Sequence, residues 1–302
     1  MTLPRRLLPG RTYLITRRVT RRHYLLQPDY QTNNLFKYVL ATISQKYNIE
    51  IHATCVLSTH HHIVLTDTNR NLPHFLRDFH RLTALPMKIY RKWEGPLWDH
   101  EHASVVELRT PQAIVEKIAY VMANPTEVGA VYYAKDWPGL NTKVPDLGRG
   151  EFKAMLPNVY FDKENGRWPE EATLKLEMPA SLDEDFVDPI EAIEQEYAQL
   201  QRAARQKMKS EGRTFLGVDR VLKISPYRRA TSWEDILSRN PVFAVGRGQK
   251  EAKEFAMSVL TQFRRAYREA IGKWNASIGD VVFPKGTWWL VEFHGAVVSD
   301  AA

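Results

Sequence analysis

The chain of 302 residues contains one cysteine, Cys55. An internal disulfide is therefore impossible, and a cysteine-built zinc site or iron–sulfur cluster is excluded. No stretch reaches the roughly 18 apolar residues of a membrane span. The N-terminus, Met1–Gly10, is basic but lacks the apolar core and small-residue cleavage site of a secretory signal. No Gly-x-x-x-x-Gly-Lys-Ser/Thr loop occurs, so no nucleotide cofactor is expected. There is no internal repeat. These absences fit a protein of a reducing cytoplasm, away from membranes.

Apolar residues make up 44% and charged residues 25% of the chain, the balance of a folded protein. At ~150 residues per domain, the length suits two units. The net charge of +7 is unevenly placed. Residues 1–50 carry nine basic and two acidic side chains, whereas residues 151–302 carry 22 basic and 23 acidic ones. The surplus at the front includes Arg17, Arg18, Arg21 and Arg22. Arginine clusters of this kind suit phosphate, although a solvated basic face would have the same composition.

Periodicity predicts a strand over 12–20, a helix over 29–47, strands over 49–56 and 60–65, a helix over 71–93, a strand over 103–109 and a helix over 111–124 ended by Asn124-Pro125. The order β-α-β-β-α-β-α is that of an α+β, ferredoxin-like antiparallel sheet with packed helices. We divide the chain into a domain at 1–138, a linker-like acidic segment at 139–188 with little regular structure, and a C-terminal extension at 189–302. The extension is expected to be mainly helical, with helices over 189–211 and 249–274 and two short strands around Lys285-Gly286.

Nine of the ten histidines lie in the first 102 residues. In Thr59-His60-His61-His62-Ile63-Val64-Leu65, strand alternation puts His60 and His62 on one face and His61 on the other. Two imidazoles so placed can hold one cation and leave the rest of its coordination sphere open. His100-Glu101-His102 has the same spacing, and spacing alone does not choose between the pairs. On the helix over 111–124, Glu116, Tyr120 and Asn124 form one row, off the apolar stripe of Ile114, Ile118, Val121 and Met122. A phenol, an amide and a carboxylate in one row suit a metal-assisted nucleophile, with Tyr120 attacking. A surface tyrosine and a helix-ending asparagine would look the same in isolation.

Together these pieces resemble the single-tyrosine HUH transposases, in particular the REP-associated tyrosine transposases of bacteria. The matching stretches, in order, are RTYLITRRVTRRHYLLQPD, VLSTHHHIVLTD, NLPHFLRDFHRLTALPMKIYRKWEGPLWDHEH and IAYVMANPTEVGAV, within residues 10–140. The resemblance implies the HUH endonuclease fold, with His60 and His62 as metal ligands, Tyr120 as nucleophile and Asn124 as a third ligand. His100 and His102 are then structural or DNA-contacting. The middle HUH position departs from the pattern, because His61 stands where an apolar residue is usual.

The implied function is cleavage and strand transfer of single-stranded DNA beside a hairpin. Mg²⁺ or Mn²⁺ would act at the scissile phosphate, a 5′-phosphotyrosine link would form, and Arg17, Arg18, Arg21 and Arg22 would neutralise phosphates. Three rivals stand beside it: a domesticated non-cutting DNA-binding protein, an HUH-class replication or relaxase-type nickase, and an unrelated metal-dependent hydrolase with water as nucleophile. The C-terminal half has either a structural role or further DNA contacts through Arg228-Arg229 and Arg264-Arg265-Arg268.

Overall fold

The computed structural model describes residues 4–164, 166–231 and 241–299. The first half runs β1 (Arg11–Arg18), α1 (Tyr30–Tyr47), β2 (Ile49–Leu57), β3 (His60–Asp67), α2 (Leu72–Arg91), β4 (Ser104–Leu108) and α3 (Pro111–Glu127). The first four strands pair antiparallel in the order β2-β3-β1-β4. This is the α+β, ferredoxin-like arrangement the periodicity predicts.

Alternation decides what each face of the sheet covers. On β1, Tyr13 and Ile15 join Ile63 and Leu65 of β3 under α1 and α2. The intervening Leu14 and Val64 join Val106 and Leu108 under α3. Strand β2 serves both faces because it contains a bulge between Ile51 and Ala53. Before it, Ile49 and Ile51 belong to the α1/α2 side; after it, Ala53, Cys55 and Leu57 belong to the α3 side. One extra residue shifts the parity of everything that follows. The extra residue, His52, bonds the carbonyl of Glu177 at 2.7 Å and Thr66 Oγ1 at 2.7 Å. Burial lowers its pKa to about 4, so the ring is neutral.

The helices start where the chain supplies acceptors for their first N–H groups. Asp29 accepts from Thr32 N at 2.7 Å and Thr110 accepts from Ala113 N at 3.3 Å. Asp67, at the end of β3, accepts from Asn69, Asn71 and Leu72 N ahead of α2. Such caps contribute ~1 kcal/mol each. The α1/α2 interface is sealed by Phe36, Phe75 and Phe79, all fully buried, at roughly 1.5–3 kcal/mol per side chain.

The structure corrects the sequence reading in three places. Helix α3 does not stop at Asn124-Pro125 but continues to Glu127. Proline forfeits one N–H and its fixed φ suits a helix, so a final turn can carry it.

The segment 139–188 contains an antiparallel hairpin, β5 (Glu151–Met155) and β6 (Glu171–Lys175), laid on α1. Its apolar phase, Phe152, Ala154, Leu156, Ala172, Leu174 and Leu176, enters the α1 core, while cross-strand pairs Lys153–Glu171 and Lys175–Glu151 face out. Asn34 fixes it by exchanging hydrogen bonds with the backbone of Met155 at 2.8 and 3.0 Å. The charged outer phase, two lysines and two glutamates, conceals that alternation in the sequence.

In the tail, a strand over Val282–Phe283 precedes Lys285-Gly286 as expected, but the segment directly after it, Trp289–His294, is not a strand. The apolar run that follows is helical, because such a run does not by itself distinguish strand from helix.

The second half continues with α4 (Pro189–Ser210), α5 (Val218–Lys223), β7 (Phe243–Ala244), α6 (Lys250–Asn275), β8 (Val282–Phe283), α7 (Trp289–His294) and β9 (Val297–Val298). It is mainly helical, as expected. Ile190, Ile193, Tyr197 and Leu200 of α4 join the apolar cluster beneath α3. Strand β7 extends the sheet by pairing parallel to β4, and β8 pairs parallel to β9. Among the described residues, no helix is long and apolar enough to cross a membrane.

Candidate active site

His60 and His62 lie at the start of β3 on the face covered by α3. Their ring centroids are 4.8 Å apart and nearly perpendicular. The Tyr120 ring of α3 stands 5.3 Å from the His62 ring. Sheet and helix thus bring the two sequence motifs together, and Asn124 follows one helical turn beyond Tyr120.

Each histidine has a neighbouring hydroxyl. Thr16 Oγ1 lies 2.7 Å from His62 Nδ1, and Thr59 Oγ1 lies 2.9 Å from His60 Nδ1. With Nδ1 of His62 protonated and donating to Thr16, Nε2 presents a lone pair. That Nε2 is buried and has no hydrogen-bond partner among the described residues; the same is true of Asn124 Oδ1. Burial, reinforced by the charges of His60, His61, Arg18 and Lys117, holds His62 well below the usual histidine range, so it is neutral.

Two orphaned acceptors, an imidazole nitrogen and an amide oxygen, suit a divalent cation. Among the described residues no group of three His, Cys, Asp or Glu side chains could hold a metal. A cation here would therefore depend on His60, His62 and the amide of Asn124, with remaining positions filled by phosphate, phenolate or water. Lys117 lies 5.5 Å from the Tyr120 ring and adds positive charge beside the phenol.

His61 points to the opposite face and is fully buried among Phe36, Phe79 and Trp98. Its Nε2 is 3.3 Å from His80 Nε2, and His80 Nδ1 is 3.1 Å from an Arg17 guanidinium nitrogen. Arg17 can only donate. When His80 Nδ1 accepts from Arg17, its proton is on Nε2 and is donated to His61, whose own proton is then on Nδ1, an atom without a partner among the described residues. Burial first, then neighbouring positive charge, keeps both imidazoles neutral.

The four arginines separate. Arg18 follows the parity of His60 and His62, whereas Arg17 faces α2, against His80 and Trp98, on the other side of the sheet. Arg21 is exposed in the turn after β1, and Arg22 lines a cavity of about 280 Å³ beside His60. Glu116 has partners outside the site. It is bound by the backbone N and Nε of Arg247, at 2.9 and 3.3 Å, and Arg247 also pairs with Glu196 of α4. His100 and His102 are exposed, with His100 on Asp99. Tyr90 donates to Asp29, and Tyr132 and Tyr133 sit against Arg205.

Two residues absent from the sequence reading belong to this neighbourhood. Thr16 is identified only by the β1–β3 register. Glu127 lines the cavity beside His60 with Arg22, Tyr24 and Arg213. Burial pushes its carboxyl up to about 7, against the opposing pull of Lys117 and Lys207. It stands two turns beyond Tyr120, a position hidden by taking Pro125 as the helix end.

No family model matches the chain, and no curated protein does. Several solved structures are similar to parts of it, these two among them. One is a transposase-like protein of Deinococcus radiodurans R1, 22% identical over 35% of this chain and 85% of that one, with a TM-score of 0.28. The other, 19% identical over 48% of this chain and 84% of that one, with a TM-score of 0.41, is a REP-associated tyrosine transposase bound to a REP hairpin, a protein of the kind the sequence motifs resemble.

Proposed function

We propose that the chain is a transposase-type DNA nuclease and strand transferase that cuts single-stranded DNA beside a hairpin through Tyr120. The observation that carries this reading is the placement of the Tyr120 ring 5.3 Å from the ring of His62, whose buried Nε2 has no partner. A water-based hydrolase has no need of a phenol there.

Tyr120 Oη attacks the phosphorus and the bond to the 3′ oxygen breaks. The phenol gives up a proton and the leaving oxygen gains one, which leaves a 5′-phosphotyrosine and a free 3′-OH. Reversal by another 3′-OH rejoins strands without a nucleotide cofactor. His60, His62 and Asn124 would hold Mg²⁺ or Mn²⁺; when bound, the ion polarises the phosphate and stabilises charge building on its oxygens. A phenol ordinarily ionises near pH ~10, so Lys117 beside the ring favours the attacking phenolate. Arg18 and Arg22, on the histidine side, would neutralise flanking phosphates.

The test incubates the protein with an end-labelled hairpin oligonucleotide and Mn²⁺, followed by a denaturing gel. A labelled band shifted by the protein's mass, lost in Tyr120→Phe, in His60→Ala/His62→Ala and without metal, is expected. Cleavage that survives Tyr120→Phe would overturn the mechanism.

A further inference from the structure

Two cavities open on the side of the sheet away from Tyr120. One, about 810 Å³, is lined by Arg17, Arg77, Arg81, Trp98 and His102. The other, about 760 Å³, is lined by Arg268, Tyr267, Trp288 and Trp289. Arg5 and Arg264 line both, which joins them into one trough. Its walls come from the N-terminal segment, β1, α2, α6 and α7, so the extension supplies half of it.

Six arginines therefore meet along the trough, and no acidic side chain among the described residues lines it. Arg77 has Asp78 as a counter-charge and Arg17 has only His80. Arg5, Arg81, Arg264 and Arg268 form no ion pair with a described carboxylate. Nε of Arg17 and of Arg264 is buried without a hydrogen-bond partner, and burial lowers the pKa of both guanidiniums. A solvated basic face leaves its guanidiniums in water. Here Arg17 and Arg264 are partly desolvated with an unpartnered Nε, and the exposed Arg5, Arg77, Arg81 and Arg268 converge on them with a single carboxylate partner, Asp78; an arriving anion would relieve that concentration of like charge.

The apolar lining indicates which anion. Trp289 is 59% exposed and Phe293 beside it 48%, with ring centroids 4.4 Å apart. The exposed indole of Trp289, at the edge of an arginine groove and backed by the half-buried Trp288, offers stacking surface to an unpaired base. A duplex hides its base faces and would use only the arginines.

We infer that this trough is a second nucleic-acid site, which takes a single-stranded segment with its phosphates on Arg5, Arg264 and Arg268 and a base on Trp289. It stands independently of the Tyr120 chemistry, because it lies on the opposite face of the sheet. His102 lines the trough, so it can meet DNA there without ligating the metal.

The test uses the full chain carrying Tyr120→Phe, so that binding is read without cleavage. A labelled unstructured single strand and a duplex of equal length are titrated over a range of salt concentrations. Trp289→Ala is expected to weaken single-strand binding by about tenfold and to leave duplex binding unchanged. Arg264→Gln and Arg268→Gln should each reduce the salt slope for the single strand by about 0.7. Arg268 and Trp289 are exposed, so these variants should fold; unchanged thermal midpoints would verify it. Equal losses for single strand and duplex, or no loss with any variant, would overturn the inference. If covalent capture by the wild-type chain fails while Trp289 dependence persists, the nuclease reading falls and this site remains; the converse result removes only the trough.

Discussion

Thr16 on β1 and His62 on β3 are cross-strand partners, and the hydroxyl of one lies 2.7 Å from Nδ1 of the other. When Nδ1 donates in that contact, Nε2 is left as the lone pair, and it is buried without a partner among the described residues.

Thr16→Val keeps the shape of the side chain and removes this contact. Loss of a bond that orients a ligating histidine typically costs 10- to 100-fold in metal affinity. Mn²⁺ titration of the apoprotein should show a loss of about that size, with Thr16→Ser restoring most of it. Wild-type affinity in Thr16→Val would mean that the hydroxyl does not orient the ring.

His61→Leu should be nearly neutral for stability, within about 1 kcal/mol. It removes a buried imidazole whose Nδ1 has no partner, but leaves the Nε2 proton of His80 without one. One orphan replaces another, and the cavity formed by Phe36, Phe79 and Trp98 already suits an aliphatic side chain. A urea midpoint far below that of the wild type would show that the His61–His80 pair has a structural role of its own.

Glu127 gives a pH signature. Its folded pKa is about 7, against 4.5 for an unperturbed group. Below both values the carboxyl is protonated whether the chain is folded or not. Between them only the unfolded chain releases the proton, so stability falls as pH rises through that window, then levels off. The loss is at most roughly 3 kcal/mol. Glu127→Gln should remove it. Denaturation midpoints of the two proteins should diverge from pH 5 to pH 8, with the variant the more stable at the upper end.

Arg91 is the buried hub where α2 meets the start of α1. Its guanidinium donates to the carbonyls of Leu25 and Gln27, to Thr32 and, at 2.7 Å, to Asp29. Arg91→Ala leaves those acceptors unpaired, at about 3 kcal/mol, and should lower the urea midpoint without changing the m-value. Arg91→Lys should recover only part, since an ammonium cannot reproduce the planar fork.

The sheet and its helices were legible because each rests on short-range periodicity, whereas the choice of His60, His62, Tyr120 and Asn124 as the site rests on the resemblance. His60 and His62 share a face by alternation, and Tyr120 and Asn124 share one by the helical repeat. What depends on long-range register was not legible. Thr16 reaches His62 only through β1–β3 pairing, and Glu116 binds Arg247, 131 residues away. The four arginines looked like one patch because composition counts charge without the strand alternation that separates Arg17 from Arg18. The hairpin at β5 and β6 escaped notice because its apolar phase is short and its charged phase dominates the composition.

Arg17 and Arg18 are consecutive on β1, yet they serve opposite sides of the sheet. The sheet therefore acts as a partition, and DNA that engages both sides must travel round its rim. An oligonucleotide too short to make that journey can occupy one compartment only. Affinity should then respond to substrate length as a threshold: nearly flat while one face is filled, and rising abruptly once a single strand is long enough to reach the other.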